Sequence, residues 1–157
     1  MENVQLRAFQ EADLDHFFRH EQDQDAQWMA AFIPENFQDR SAFDAHWRKI
    51  LAMDSVVART ILLEGEVCGH IIKFEIEGEP EITYWIDRRH WGKGIATKAL
   101  ELLLKEVLQR PIYSRTAADN VASQHVLEKN GFVKSGEDQG FANARKEIIR
   151  EFIYRRD

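Results

Sequence analysis

A run of ten residues in this chain, Arg88-Arg89-His90-Trp91-Gly92-Lys93-Gly94-Ile95-Ala96-Thr97, holds two glycines and four groups able to carry positive charge. The residues before it alternate, Ile82, Tyr84 and Ile86 against Thr83, Trp85 and Asp87, which is the period of a strand. Those after it, Ile95, Ala99, Leu102, Leu103 and Val107, recur at helical spacing. A strand end therefore feeds a helix start. The first turn of a helix exposes N–H groups without partners and a partial positive charge, and glycine lets an anion approach the backbone closely. The junction has the makings of a diphosphate cradle. The plainer alternative is a tight turn whose cations face water, because short glycine patterns also arise by chance.

The rest of the chain makes such a patch conspicuous. The net charge is −6, which argues against a whole-surface attraction to nucleic acid or to anionic lipid. Anion binding has to come from a local patch. No apolar run reaches the roughly 20 residues that cross a bilayer, and the start, Met1-Glu2-Asn3-Val4-Gln5-Leu6, has neither a basic leader nor an apolar signal core, so a cytoplasmic protein is expected. The single cysteine, Cys68, excludes an internal disulfide and reads as a small buried hydrophobe in a strand. His16 and His20 stand at i and i+4, a spacing able to bind metal; with no third ligand in view they read as a solvated helix face, and no metal site is expected.

The elements that must position the patch follow from periodicity. Val4 to Phe9 alternates as a strand and leads into an acidic helix from Glu11 to about Glu21. Asp23 to Phe37 suits a loop or broken helix with several aromatic anchors. A helix capped by Asp39 or Ser41 follows, with Phe43, Trp47, Ile50 and Leu51 on one side. Val56 to Leu63 and Glu66 to Ile76 form a hairpin across Glu64-Gly65, Glu77 to Pro80 breaks the pattern, and Glu81 to Asp87 is the fourth strand. A helix from Gly94 to Gln109, a strand from Ile112 to Thr116, a helix from Asn120 to Asn130 stopped by Gly131, a strand starting at Phe132-Val133 and a last one from Glu147 to Tyr154 complete the order. Hairpins first and alternation later predict one α/β domain over residues 1–157, a mixed sheet of about seven strands with helices on both faces.

Two segments together carry a family resemblance. Arg89-His90-Trp91-Gly92-Lys93-Gly94 resembles the Q/R-x-x-G-x-G/A motif of the GNAT acetyltransferases. Downstream, Asn120-Val121-Ala122-Ser123 and Val126-Leu127-Glu128-Lys129-Asn130-Gly131-Phe132 are similar to the signature of the branch that holds ribosomal-protein N-terminal acetyltransferases of the RimJ/RimL type. The resemblance spans nearly the whole chain, its specific part lying between Glu81 and Phe132. It implies a mostly antiparallel sheet splayed between the fourth and fifth strands, acetyl-coenzyme A as cosubstrate, and a primary amine, on a protein N-terminus or a small molecule, as acceptor. A homodimer is compatible with it.

The same resemblance implies roles by residue. Backbone amides from Trp91 through Gly92, Lys93, Gly94, Ile95 and Ala96 to Thr97 would hold the diphosphate, with Arg89 beside them. The strand edge at Tyr84 and Ile86 would pair with the peptide-like pantetheine arm. Asn120 would bond that arm, its alternative being a helix cap, and Ser123 would face the same cleft. An attacking amine must lose a proton, for which Glu81 is the candidate, acting directly or through water; its alternative is a solvated carboxylate. Many family members place a tyrosine four residues before the Gly-Phe pair, where this chain has Leu127, which cannot donate a proton. Ser123 becomes the candidate donor to the leaving sulfur, and Tyr84 a further one. Asp25 to Phe37, His46 and a turn from Gly136 to Ala144 would face the acceptor. Two other functions compete: a non-catalytic acyl-coenzyme A sensor, and a nucleotide-binding regulatory module, which the missing Lys-Ser/Thr ending of a P-loop disfavours.

Overall fold

The apolar alternation of the middle of the chain becomes the centre of a sheet. The computed structural model describes residues 3–157, so Met1 and Glu2 of the N-terminal stretch read above lie outside it. In chain order the elements are β1 (Val4–Ala8), α1 (Asp13–Glu21), α2 (Gln24–Ala30), α3 (Arg40–Leu51), β2 (Val57–Leu63), β3 (Glu66–Ile76), β4 (Glu79–Ile86), α4 (Ile95–Glu106), β5 (Ile112–Ala117), α5 (Val121–Lys129), β6 (Val133–Ala142) and β7 (Glu147–Arg156), with a 3-10 turn over Arg88–His90. Seven strands form one sheet in the order β1-β2-β3-β4-β5-β7-β6. Every neighbouring pair is antiparallel except β4 and β5.

β3 lies in the middle of the first half and is buried continuously from Cys68 to Lys73, because each face of the sheet is covered. On one face α4 and α5 press Ala99, Leu100, Leu103 and Leu127 onto Ile61, Ile71 and Ile82. On the other, α1 and α3 press Leu14, Phe17 and Trp47 onto Ala58 and Ile72. Burying a side chain such as Phe17 contributes roughly 1.5–3 kcal/mol.

α1 crosses this second face from strand to strand. The Asp13 carboxylate accepts from both terminal nitrogens of Arg7 on β1 (2.8 Å each) and from Thr60 Oγ1 on β2 (2.6 Å). One turn on, the Phe17 ring packs on His70 of β3 with centroids 4.7 Å apart. After another turn His20 Nε2 is 3.6 Å from Asp87 Oδ2, just past β4.

Several boundaries differ from those expected. β4 begins at Glu79, because Glu77 and Gly78, with φ of 51° and 81°, close a two-residue hairpin that pairs Ile76 with Glu79. α4 ends at Glu106; its apolar stripe is wide, with Leu100 and Leu104 buried and Leu102 on its flank. The segment 136–142 is strand, not turn, since β6 continues to Ala142 and the chain reverses only at 143–146. Its polar sequence suits an edge strand, which has no second neighbour to bury it. His20 is buried beneath α1 rather than solvated. Asp39 takes the cap of α3, accepting from Ala42 N at 3.2 Å.

Gly69 of β3 faces Ile86, at the point where β4 ends. A Cβ there would collide with the Trp85 carbonyl oxygen and press on Ile86 Cα and Cδ1 at 3.2 Å. Gly69→Ala is expected to lower the unfolding free energy by about 1–3 kcal/mol, read as a lower urea midpoint at unchanged slope. A midpoint equal to that of the parent chain would show that the end of β4 is not held tightly.

Candidate active site

β4 and β5 share one register pair, Glu81 with Tyr113, and beyond it the two parallel strands separate. Ser114 Oγ, donating to the Ile82 carbonyl at 2.8 Å, marks the last tie. Asp87 N donates to Cys68 O on β3 at 2.8 Å, so by the strand's alternation the peptide groups of Tyr84 and Ile86 point the other way, into the gap. Here the sheet offers a free edge inside the molecule. Part of it is covered: Trp91 Nε1 donates to the Ile86 carbonyl at 3.0 Å.

Across the gap, the Tyr84 hydroxyl and Ser123 Oγ lie 2.6 Å apart, joining β4 to the first turn of α5. Burial pushes the Tyr84 phenol up to about 12, with the Ser123 hydrogen bond pulling the other way, so the pair keeps a proton to give. Asn120 caps α5, its Oδ1 accepting from Ser123 N (3.2 Å) while its Nδ2 donates to Met29 O of α2 (3.4 Å). The cap alternative is thus realised. Leu127 is wholly buried in the core.

At the mouth of the gap, Gly92 and Gly94 have φ of 78° and 75°, and a Cβ on either would meet open space. They are glycines for their backbone angle. Gly94 sits at the cap of α4 with no side chain bonding the helix start, and the first helical bond of this end is Lys98 N to Gly94 O. The N–H groups of Ile95, Ala96 and Thr97 are therefore the open end of a helix. Trp91 departs from expectation, since its N–H already donates to Arg88 O at 3.2 Å. These features fit a diphosphate: free donors, room above them and the exposed ammonium of Lys93 close by.

The arginines are less free than their spacing suggests. Arg89 is held by Asp87, with Nη2 and Nε each 2.9 Å from Oδ2, and Arg88 reaches Asp23 (3.1 Å) and Asp25 (3.4 Å) on the α1–α2 side. Asp87 also accepts from Arg89 N at 3.3 Å and so braces the turn that starts the loop. An acid directly before two arginines was the available signal for that brace.

Glu81 does not join Tyr84 and Ser123. Odd and even residues of β4 face opposite sides; Tyr84 belongs to the face of α4, and Glu81 to the face of α1 and α2. Its carboxylate accepts from Arg115 Nε at 3.2 Å, and Arg115 Nη1 also reaches Asp138 (3.4 Å) and Glu151 (3.2 Å). One guanidinium ties β4, β5, β6 and β7 together at the closed end of the gap. Cys68 is buried, its Sγ donating to Ile61 O at 3.5 Å, and burial pushes the thiol up to about 12, which leaves it inert. Glu21, passed over in the sequence because nothing there separates it from any acid ending a helix, is half-buried, and burial pushes its carboxyl up to about 7. Among the described residues no three His, Cys, Asp or Glu side chains gather so as to hold a metal ion, and no helix is long and apolar enough to cross a membrane.

A seven-stranded mixed sheet opened at its one parallel junction, with a glycine-led helix at the mouth, defines the GNAT class of fold. Residues 3–133 match the model of the acetyltransferase (GNAT) domain, and the chain belongs to that family. It is 35% identical over 83 residues to the ribosomal-protein-serine acetyltransferase of Escherichia coli (strain K12), covering 48% of this chain and 46% of that one. The chain thus spans about half the length of that relative. Among solved structures it superposes on a spermidine N-acetyltransferase from Vibrio cholerae in complex with CoA and spermine (TM-score 0.79, 20% identity, 96% of this chain and 94% of that one). It also superposes on Mycobacterium smegmatis RimJ in complex with CoA-disulfide (TM-score 0.78, 20% identity, 97% and 80%). At such identities these two likenesses concern the fold.

The buried histidines set an acid limit. Burial pushes His20 down to about 4, against the pull of Asp87, and His70 down to about 3. Below the ordinary value of 6.5 the unfolded chain takes up protons at these positions that the native chain refuses, so stability is lost as pH falls from 6.5 towards 4. Glu21 acts with opposite sign between its ordinary 4.5 and about 7, leaving a net difference of about one proton. Unfolding free energy measured in urea should fall by roughly 1–2 kcal/mol from about pH 6.5 to about pH 5, and less in His20→Gln. A flat profile would show that these rings protonate without unfolding.

Proposed function

We propose that the protein transfers an acetyl group from acetyl-coenzyme A to a primary amine by direct attack within a ternary complex. The observation that carries this reading is the Tyr84–Ser123 hydrogen bond spanning the opened β4–β5 junction beside an unoccluded helix start. When bound, the cosubstrate supplies an acyl carbon activated as a thioester. Gly92, Lys93 and Gly94 with the amides of Ile95, Ala96 and Thr97 receive its diphosphate, and Arg89 joins them by leaving Asp87. Trp91 does not join them, its amide bonded to the Arg88 carbonyl and its indole to the Ile86 carbonyl. The peptide groups of Tyr84 and Ile86 pair with the amides of the pantetheine arm, as an added strand would, and Asn120 orients the start of α5 towards it.

Ser123, backed by the protonated phenol of Tyr84, stands as proton donor to the departing sulfur. Glu81 and a water chain are the proton acceptors that the sequence suggests for the amine. Relatives are named for a ribosomal protein and for spermidine, and both kinds of acceptor present amines. The free, buried Cys68 agrees with a cytoplasmic setting.

A panel of N-terminal peptides and polyamines, followed by thiol release from acetyl-coenzyme A, tests the reading. Turnover is expected with at least one amine, and Ser123→Ala should lower kcat by about 10²-fold while leaving the KM for the cosubstrate nearly unchanged. Tight binding of acetyl-coenzyme A with no thiol release from any amine would instead establish a sensor.

A further inference from the structure

The carboxylates around the gap are nearly all committed. Glu81, Asp138 and Glu151 share Arg115, and Asp23 and Asp25 share Arg88, with Asp23 also capping α2 by accepting from Ala26 N at 2.9 Å. Asp87 holds Arg89. Glu21 is different: among the described residues no donor reaches its carboxylate, and burial is the one influence that displaces its pKa.

Its position follows from the path of α1. The helix lands on β2 at Asp13, on β3 at Phe17 and past β4 at His20, so its last turn has crossed the sheet as far as the open junction. Glu21 follows Leu14 and Phe17 at positions i+7 and i+4, which puts it on the helix side that faces the sheet. The chain then continues to β5, where Ala31, just after α2, packs on Ala117 and Met29 O receives Asn120. The α1–α2 connection therefore bridges the gap, with Glu21 at its near end. It is fixed there, Gln27 Nε2 donating to the Glu21 carbonyl at 2.8 Å and Gln22 Nε2 to Phe37 O at 2.9 Å.

Resting on the acetyl-transfer reading above, we propose that Glu21 is the catalytic base that deprotonates the acceptor amine. The acceptor's ammonium gives one proton to the Glu21 carboxylate, and the freed lone pair forms the C–N bond as the C–S bond breaks. Ser123 passes a proton to the sulfur and regains one from the newly acylated nitrogen, and Glu21 releases its proton to water. Base and donor stand on opposite faces of the sheet, so amine and leaving sulfur have separate sides of the opening. Glu81, paired with Arg115 at the closed end, acts in holding the strands.

The test compares Glu21→Gln and Glu81→Gln with the parent enzyme at about pH 8.5, using one accepted alkylamine, still almost wholly protonated there, and its β,β-difluorinated analogue, nearly isosteric but largely neutral at that pH. Glu21→Gln should lower kcat/KM about 10²-fold or more for the alkylamine and only about threefold for the analogue, while binding acetyl-coenzyme A as the parent does. An equal loss for both amines, a loss below about threefold for the alkylamine, or the selective pattern in Glu81→Gln instead overturns this assignment alone. Absence of thiol release from the parent enzyme overturns the transfer reading and this assignment with it.

Discussion

The structure depends on a single joint. Parallel strands normally share an evenly spaced ladder, yet β4 and β5 share one register pair, Glu81 with Tyr113, and are then held apart. Leaving peptide groups without strand partners in the middle of a sheet is costly unless something else satisfies them. Each neighbouring element contributes to holding the joint in that state. Arg115 draws four strands together at its closed end, and Ser114 takes the last carbonyl before the strands part. Past that point the Tyr84–Ser123 bond spans the opening on one face and the α1–α2 connection spans it on the other. The gap is thus framed on all sides by contacts made within the chain.

Electrostatics follow the same division. Two of the cations beside the glycine loop are set in pairs with carboxylates: Arg89 rests on Asp87, and Arg88 on Asp23 and Asp25. The Arg88 pairs are exposed and worth little in water, whereas Asp87 is buried and its carboxylate also holds the Arg89 amide. Arg88 lies with its two acids on the α2 side, and Lys93 stands beside the helix start.

Much of this was legible in the sequence for definite reasons. The strands β2 to β4 and the helix α4 carry periodic apolar residues, because both of their faces or one long stripe is buried, and Gly92 and Gly94 stand where the backbone needs a positive φ. Asn120 and Ser123 stand one helical turn apart on the helix start that the sequence indicates, and Ser123 reaches Tyr84. What the sequence could not show was long-range pairing. Nothing in the order of residues indicates that Glu81 meets Arg115 or that His20 is buried. The full length of β6 is hidden for a related cause: an edge strand with polar side chains on both faces has no period to detect.

The opened joint has a further meaning for the chain as a polymer. A row of unsatisfied amides and carbonyls is normally confined to the rim of a sheet, where charges, prolines and bulges discourage other chains from adding to it. Here such a row lies in the interior, between Tyr84 and Ile86, with the Trp91 indole as its partial cover. Any extended segment slim enough to enter, including a strand from an incompletely folded copy, finds hydrogen-bonding groups already lined up. Filling that slot with a strand-like group closes it to other chains, and leaving it empty keeps it open to them.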